Sequence, residues 1–519
     1  MKNPKILLYV ILVGFFISCK NDTKEQADTS IPEKSKPNIM VIYMDDLGYG
    51  DVGAYGATEI ATPNMDRLAN NGLKFTNAYA TSATCSPSRY ALLTGTYPWR
   101  NKDAKILPGT APLLIDTAQT TIPKILKSQG YHTGIVGKWH LGLGSGNVDW
   151  NTQISPGPNE VGFDYSYIMA ATQDRVPTVY INNGFVDNLD PNDPIQVNYD
   201  KNFDGVPTGK DHPELLHMVG DPQHSNTIVN GVPRIGYMKG GESAQWVDVD
   251  MAEHFLTKAQ DYVKAHKNEP FFLYYALQQP HVPRIPHPRF AGSSGMGPRG
   301  DVIVEADWCL GEFIKTLESE DLLENTLIIF TSDNGPVLDD GYVDDAITKL
   351  GNHKPSGQFR GGKYSLLEAG TRVPFVSYWK GNINAGTSNT LLSQVDLLSS
   401  LAELAGSDTT TRDSENHLDL LLGKTDAGRE NLIIEATSRT AFRKGDWVFI
   451  PAYKGPKVLK NKGVETGNSK NLQLYNLKED PHQDVNLAGA NPDKLREMIE
   501  EFEAIRGKTY TDTEQPNFK

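Results

Sequence analysis

Four apolar runs, each leading into a cluster of polar residues, constrain this chain more than any other feature. Asn38 to Met44 runs into Asp45-Asp46, and Tyr131 to Val136 into Gly137-Lys138-Trp139-His140-Leu141-Gly142. Phe271 to Ala276 precedes Gln279-Pro280-His281-Val282-Pro283, and Thr326 to Thr331 runs into Ser332-Asp333-Asn334-Gly335. Continuous apolar runs of this length read as strands buried on both faces, the habit of parallel sheets. Helical patterns lie between them. Thr62-Pro63 opens one helix as N-cap and first residue, and Gly72 closes it. Thr121 to Gln129 is a second, closed by Gly130. Met251, Phe255, Ala259, Tyr262 and Val263 share one face of a third, and Val302 to Leu317 forms a fourth. Strands alternating with helices predict an α/β domain with a mostly parallel central sheet flanked by helices. In such sheets ligands bind outside the carboxyl ends of the strands, where each polar cluster falls.

A length of 519 residues suggests one large domain with a smaller partner. The stretch from about 145 to 245, rich in Gly, Pro, Asn and Asp, reads as insertions and long loops near the site. Beyond about residue 425 the pattern changes. Asn431 to Ala436, Thr440 to Phe442, Trp447 to Tyr453 and Leu472 to Leu477 read as short strands joined by turns. Asn491-Pro492 then caps a helix with Leu495, Met498, Ile499, Phe502 and Ile505 on one face. The expected organisation is a catalytic domain over 37–424 and an α+β subdomain over 425–519, with a short antiparallel sheet and a packed helix.

The amino terminus stands apart. Lys2 and Lys5 precede an apolar stretch, Ile6 to Ile17, too short for a membrane span. It runs into Phe16-Ile17-Ser18-Cys19, which resembles a bacterial lipobox. Residues 1–18 are therefore expected to be a lipoprotein signal peptide, Cys19 the lipid-bearing residue, and 19–36 a polar flexible tether. This implies export and anchoring to the bacterial envelope, on the outer membrane and facing the periplasm or the cell surface. A net charge of −14 argues against nucleic acid as a partner.

The polar clusters carry the chemistry. Asp45, Asp46, Asp333 and Asn334 supply three carboxylates and an amide oxygen at the ends of two separate strands. Hard oxygen ligands suit Ca²⁺ or Mg²⁺, although either segment alone reads as readily as a turn or helix cap. Lys138 and His140, two apart in extended chain, would point to one side and could hold an oxyanion and handle a proton. In isolation they read as one exposed lysine and one core histidine. His281, held between prolines, could serve as a general acid. Gly361-Gly362-Lys363 places a further lysine beside a Gly-rich turn. Cys85-Ser86-Pro87-Ser88-Arg89-Tyr90-Ala91-Leu92-Leu93-Thr94-Gly95 begins at a loop-to-helix turn. There backbone N–H groups favour an anion, so Cys85 beside Arg89 reads as a nucleophile of lowered pKa.

Cys85-Ser86-Pro87-Ser88-Arg89, with Thr94-Gly95 downstream, resembles the C-x-P-S-R motif of formylglycine-dependent sulfatases of the arylsulfatase type, in the alkaline-phosphatase-like superfamily. The resemblance extends over about 37–510 and implies a role for each residue. Cys85 would be oxidised to formylglycine (3-oxoalanine) by a formylglycine-generating maturation enzyme and would also contact the metal. Asp45, Asp46, Asp333 and Asn334 would bind one Ca²⁺. Arg89, Lys138, His140, His281 and Lys363 would surround the sulfate and the aldehyde hydrate. The implied reaction is attack on sulfur by one hydroxyl of the hydrate, with His281, or else Lys363, protonating the leaving alcohol. Elimination follows, His140 taking the proton of the second hydroxyl. The one departure is Glu368-Ala369-Gly370, where Glu-Gly-Gly is more usual.

With Cys19 assigned to lipid and Cys85 to oxidation, only Cys309 remains. It sits in a helical pattern and reads as a core residue, so no disulfide is expected. The implied substrates are sulfated polysaccharides or glycosaminoglycan fragments, the middle segment resembling galactose and N-acetylgalactosamine sulfatases. Thr172-Gln173-Asp174-Arg175, Asn352-His353-Lys354 and Arg284 are candidate sugar contacts, with Asp174, Arg175, Arg284 and His353 foremost. Two alternatives stand: a phosphodiester or phosphonate monoester hydrolase of the same superfamily, and a non-catalytic surface glycan-binding protein.

Overall fold

The computed structural model describes Met1 and residues 36–507; the segment expected to be a signal peptide (apart from Met1), Cys19 and most of the expected tether lie outside the described residues. Ten strands build the central sheet: β1 (Asn38–Met44), β2 (Leu73–Phe75), β3 (His132–Lys138), β4 (Tyr165–Met169), β5 (Tyr180–Asn182), β6 (Phe185–Val186), β7 (Phe271–Ala276), β8 (Thr326–Ser332), β9 (Phe375–Tyr378) and β10 (Gly386–Ser388). Their spatial order is β10-β2-β9-β8-β1-β7-β3-β4-β5-β6. From β8 through β4 all neighbours are parallel. Antiparallel pairs extend this block on both sides. Side chains of β1 alternate between two cores. Ile39, Val41 and Tyr43 enter one, Met40, Ile42 and Met44 the other. Every residue of β1, β7 and β8 is buried, as strands covered on both faces require.

Helices α1 (Pro63–Asn71), α4 (Met251–Ala265) and α5 (Gly297–Ser319) cover one face. Helices α2 (Cys85–Thr94), α3 (Ile122–Ser128) and α6 (Leu397–Ala405) cover the other. Cys309 is fully buried in α5, and Cys85 and Cys309 are both free thiols. The small antiparallel sheet, β11 (Asn431–Ala436), β12 (Arg439–Lys444), β13 (Trp447–Ile450) and β14 (Gln473–Asn476), carries α7 (Pro492–Arg506). Met498 and Phe502 of α7 are buried against Phe442 and Phe449.

Two expectations are corrected. The 145–245 segment is not only insertion and loop: β4, β5 and β6 lie within it and complete the central sheet. They were hidden because Gly, Asn and Asp turns separate strands of two to five residues. The second run, Tyr131 to Val136, continues to Lys138, so that lysine stands in the strand rather than after it. Gly137 has φ +109, and a side chain there would bring Cβ within 1.9 Å of the Ala276 carbonyl oxygen.

Candidate active site

The carboxyl ends of β8, β1, β7 and β3 lie side by side, and the amino end of α2 meets them. Asp45 and Asp46 follow β1; Asp46 takes φ 65, turning the chain so that both acids face the same volume. Its amide donates to Asp333 Oδ1 at 3.2 Å, and the Asp333 amide donates to the Met44 carbonyl at 3.1 Å, tying the two strand ends together. The glycine that follows Asn334 is required by close approach: a Cβ on Gly335 would lie 1.6 Å from the Ala369 carbonyl oxygen.

One oxygen atom from each of Asp45, Asp46 and Asp333 lies with Cys85 Sγ in a cluster whose members are all within 4.8 Å of one another. All four residues are at most 1% exposed. Three cations surround the acids. Arg89 donates through Nε and a terminal nitrogen to Asp333 Oδ2 at 3.0 and 2.9 Å, and its other terminal nitrogen donates to the Lys138 carbonyl. Lys138 Nζ donates to Asp45 Oδ2 at 2.6 Å, and Lys363 Nζ to Asp46 Oδ2 at 2.8 Å and Asp340 Oδ2 at 2.9 Å. Burial pushes Asp45 up to about 8, Lys138 opposing and Asp333 and Asp46 adding to it. Asp46 is raised for the same leading reason. Burial would raise Asp333 too, but Arg89 and Lys138 together hold it below the ordinary value.

The donor set fits a hard divalent cation. Asn334 Nδ2 donates to Asp46 Oδ1 at 2.7 Å, while its Oδ1 is buried without a hydrogen-bond partner. An orphaned buried acceptor beside crowded carboxylates is what an oxygen-liganded cation satisfies. Asp45, Asp46, Asp333 and Asn334 would hold it.

Cys85 is the first residue of α2, after an extended Thr84. Its Sγ is 3.6 Å from Asp45 Oδ1. The lowered thiol pKa expected from the helix terminus is not found. Burial drives it well above the ordinary value; Lys138 and Lys363 oppose, and Asp333 and Asp45 reinforce. A buried thiol facing acids stays protonated and is a poor nucleophile.

The two histidines have defined tautomers as neutral rings. His281 lies between the cis peptides Gln279–Pro280 and Val282–Pro283, and its amide donates to the Gln278 carbonyl at 3.0 Å. Its Nδ1 donates to the Val282 carbonyl at 2.7 Å, leaving Nε2 3.9 Å from Asp46 Oδ2. His140 has φ 53, so the chain from Lys138 is not extended. Its Nε2 donates to the Leu107 carbonyl at 2.9 Å and its Nδ1 is a buried, unpartnered acceptor. Burial, with nearby lysines, holds both rings well below the ordinary histidine value.

Cys85, His140, His281 and Lys363 open onto one cleft. Asp174 and Arg175 line it too, Arg175 donating to both Asp174 oxygens at 2.9 Å. Arg284 and His353 do not join them. Arg284 is buried and donates to the Pro280, Val337 and Leu338 carbonyls and to Asp344, which clamps two loops together. His353 bonds Asp51 Oδ1 at 2.8 Å in a separate buried cluster with Arg299. Their residue types suggested sugar contacts; burial of both, with every Arg284 nitrogen donating inside the protein and His353 Nε2 held on Asp51, makes them parts of the frame.

Sequence reasoning missed His224, Asp340, Tyr364 and Lys462 of the cleft wall. His224 Nε2 faces Asp174 at 3.3 Å and its Nδ1 faces Asp221 at 2.8 Å. Asp340 binds Lys363, Tyr364 and Lys462. A signal existed for Asp340: a buried lysine such as Lys363 needs paired acids, and Asp339-Asp340 lies close downstream of Asp333. Nothing local marks His224 or Lys462.

Residues 37–407 match the sulfatase family. The chain is 48% identical over 511 residues to an N-acetylgalactosamine-6-O-sulfatase of Bacteroides thetaiotaomicron, covering 98% of this chain and 100% of that protein. It is 32% identical over 381 residues to human N-acetylgalactosamine-6-sulfatase, covering 71% of this chain and 62% of that protein. A solved structure from work on the metabolism of multiple glycosaminoglycans by Bacteroides thetaiotaomicron superposes with TM-score 0.90 at 49% identity, covering 91% of this chain and 100% of that one.

Proposed function

Because this chain belongs to the sulfatase family, and hydrolyses sulfate esters as such, we propose that its substrate is the 6-sulfate of N-acetylgalactosamine in glycosaminoglycan fragments, that Cys85 acts as formylglycine, and that the metal is Ca²⁺. The observation that carries the chemistry is the buried cluster of Asp45, Asp46, Asp333 and Asn334 around Cys85, with an amide oxygen left unpartnered. The sugar and position rest on the 48% identity to the bacterial N-acetylgalactosamine-6-O-sulfatase.

A bound Ca²⁺ supplies positive charge that offsets the sulfate monoanion. An aldehyde hydrate at position 85 supplies two hydroxyls on one carbon, so that one can bond sulfur while the other remains to release it; a thiol of raised pKa offers neither. The chain's own residues do the rest. Arg89, fixed on Asp333, and Lys138, fixed on Asp45, hold the residue-85 side and spread charge building on the sulfuryl oxygens. Lys363 holds its protons between Asp46 and Asp340 and faces the cleft, where it can donate to the leaving oxygen. His281 keeps Nε2 open toward the same oxygen; in its neutral form Nε2 carries no proton, so this geometry moves Lys363 ahead of His281 as donor. His140 Nδ1, a buried acceptor with no partner, is placed to receive the proton of the remaining hydroxyl. Asp174 and Arg175 contact the sugar hydroxyls.

The amino-terminal lipobox resemblance supports export and envelope anchoring through Cys19, and maturation of Cys85 by a dedicated enzyme belongs to the same proposal. The test is turnover of N-acetylgalactosamine 6-sulfate against the 4-sulfate and N-acetylglucosamine 6-sulfate, using protein whose Cys85 peptide shows the loss of about 18 Da that accompanies conversion of thiol to aldehyde. Preference for the first substrate upholds the reading. Equal rates, or preference for the 4-sulfate, end it.

A further inference from the structure

The cleft has a wall that the chemistry above does not use. It comes from the small carboxyl-terminal sheet, which sends two turns toward Cys85. One is Thr437-Ser438, joining β11 to β12, with φ 48 and 68. A β-branched residue at positive φ is a strained choice for a hairpin turn. Arg439, fully buried, donates to the Thr437 hydroxyl and holds the turn in place. The second is the hairpin in which Val458 and Leu459 pair with Glu465 and Val464. Leu459, Asn461 and Lys462 at its tip line the same cleft as Thr437 and Cys85.

This hairpin is basic in an acidic protein. Residues 454–464 contain Lys454, Lys457, Lys460 and Lys462 and no acid, while the whole chain carries −14. Glu465, which follows, is bound by Arg360. Lys462 is ion-paired with Asp340, the acid that also binds Lys363. Lys454, Lys457 and Lys460 are exposed, and none has an ion-pair partner among the described residues. The hairpin is anchored: Thr466 donates its amide to the Lys457 carbonyl at 2.9 Å, and Asn468 Nδ2 donates to the Pro456 carbonyl at 3.0 Å. A −14 protein repels a polyanion at long range, so a fixed strip of unpaired cations at the cleft mouth is the surface on which such a chain can lie.

We propose that this lysine hairpin docks the acidic sugars flanking the target residue, so that the enzyme acts on a polyanionic oligosaccharide held along the carboxyl-terminal subdomain rather than on an isolated sugar. The inference rests on the sulfatase reading of the cleft. Its occupant is a glycan of alternating acidic sugars; Lys460, between two cleft-lining residues, and Lys457, directly before the paired Val458–Leu459, are its first contacts.

The test compares a monosaccharide, N-acetylgalactosamine 6-sulfate, with a tetrasaccharide of alternating uronic acid and the same sulfated sugar, using matured full-length protein. In the K457A/K460A variant kcat/KM on the tetrasaccharide is expected to fall roughly five- to ten-fold at low salt, through KM. On the monosaccharide it should stay within about two-fold. K457R/K460R should restore the loss, and raising salt from about 50 to 500 mM should remove the difference between wild type and variant. Equal losses on both substrates, or no loss on either, overturn the proposal. If wild type turns over neither substrate, the sugar assignment has failed. Calorimetric binding of the tetrasaccharide then decides the hairpin: weaker binding by the variant supports it, and equal binding overturns it.

Discussion

Two buried clusters of opposite charge lie in this molecule, and they differ in one respect. Asp51, between Arg299 and His353, has its own oxygens fully satisfied, although Arg299 Nε is left without a partner: they accept from both terminal nitrogens of Arg299, from His353 and from the Gly48 amide, at 2.6 to 2.8 Å. Burial would raise its pKa, but Arg299 and His353 bring it down to about 2. Asp45, with Asp46, Asp333 and their three cations, is just as buried, yet its pKa is raised to about 8. There the acids crowd one another and Asn334 Oδ1 is left without a donor. A cluster that balances itself holds a fold together. A cluster that needs another cation is built to receive one.

The largest effect that sharpens this contrast lies at position 85. Replacing Cys85 by Ala should lower turnover by at least about 1,000-fold while the thermal midpoint stays close to wild type, because the side chain serves chemistry rather than the frame. Activity and melting measured on one preparation check this. A parallel loss of both would place Cys85 among the structural residues.

The next effect separates the clusters directly. Asp51→Asn should cost about 3 to 5 kcal/mol in denaturant unfolding, since it leaves Arg299 buried without its carboxylate. In metal-free protein Asp45→Asn should cost clearly less, because it relieves acid crowding. The comparison breaks if the two losses are equal.

Chelation should act on one cluster only. Removing divalent cations should abolish turnover and lower the melting point of wild type, with Ca²⁺ restoring both by an amount that grows with its concentration. Asn334→Ala should need more Ca²⁺ for half-restoration. Asp51→Asn should keep the wild-type Ca²⁺ dependence despite its lower stability.

The smallest effect is on pH. The folded pKa of Asp51, about 2, lies below its ordinary value of 3.8. As pH falls through that interval the unfolded chain takes up the proton first, so stability present above pH 3.8 is lost toward pH 2. The full loss is about 2 kcal/mol. The urea midpoint of wild type should decline from pH 4.5 to 3 more steeply than that of Asp51→Asn. Identical slopes would show that Asp51 is not held as an anion.

Legibility follows physical range. β1, β7 and β8 are visible in sequence because strands covered on both faces must be apolar throughout, and the acids after β1 and β8 stand out against that background. Cys85 and Arg89 are legible because four residues on one helix place both at the same site. Met498 and Phe502 are legible because one helical face must cover the small sheet. By contrast β4, β5 and β6 are too short to show a period, and their place in the sheet is decided by pairing with β3 and with one another. Arg284 and His353 are the same residue types whether they face sugar or the protein's own oxygens, carbonyls and Asp344 for Arg284 and the Asp51 carboxylate for His353; only packing distinguishes the two.

The order of the strands along the chain and the residue types at their ends thus determined by themselves that carboxylates, cations and a special cysteine could meet at one sheet edge, since local hydrophobic pattern and backbone turn chemistry are properties of contiguous residues. The tertiary structure alone decided which charges are left unbalanced there. It also brought His224, Asp340 and the lysine hairpin of a distant subdomain to the cleft, because electrostatic satisfaction and burial are sums over neighbours in space, and those neighbours are up to hundreds of residues apart in the chain.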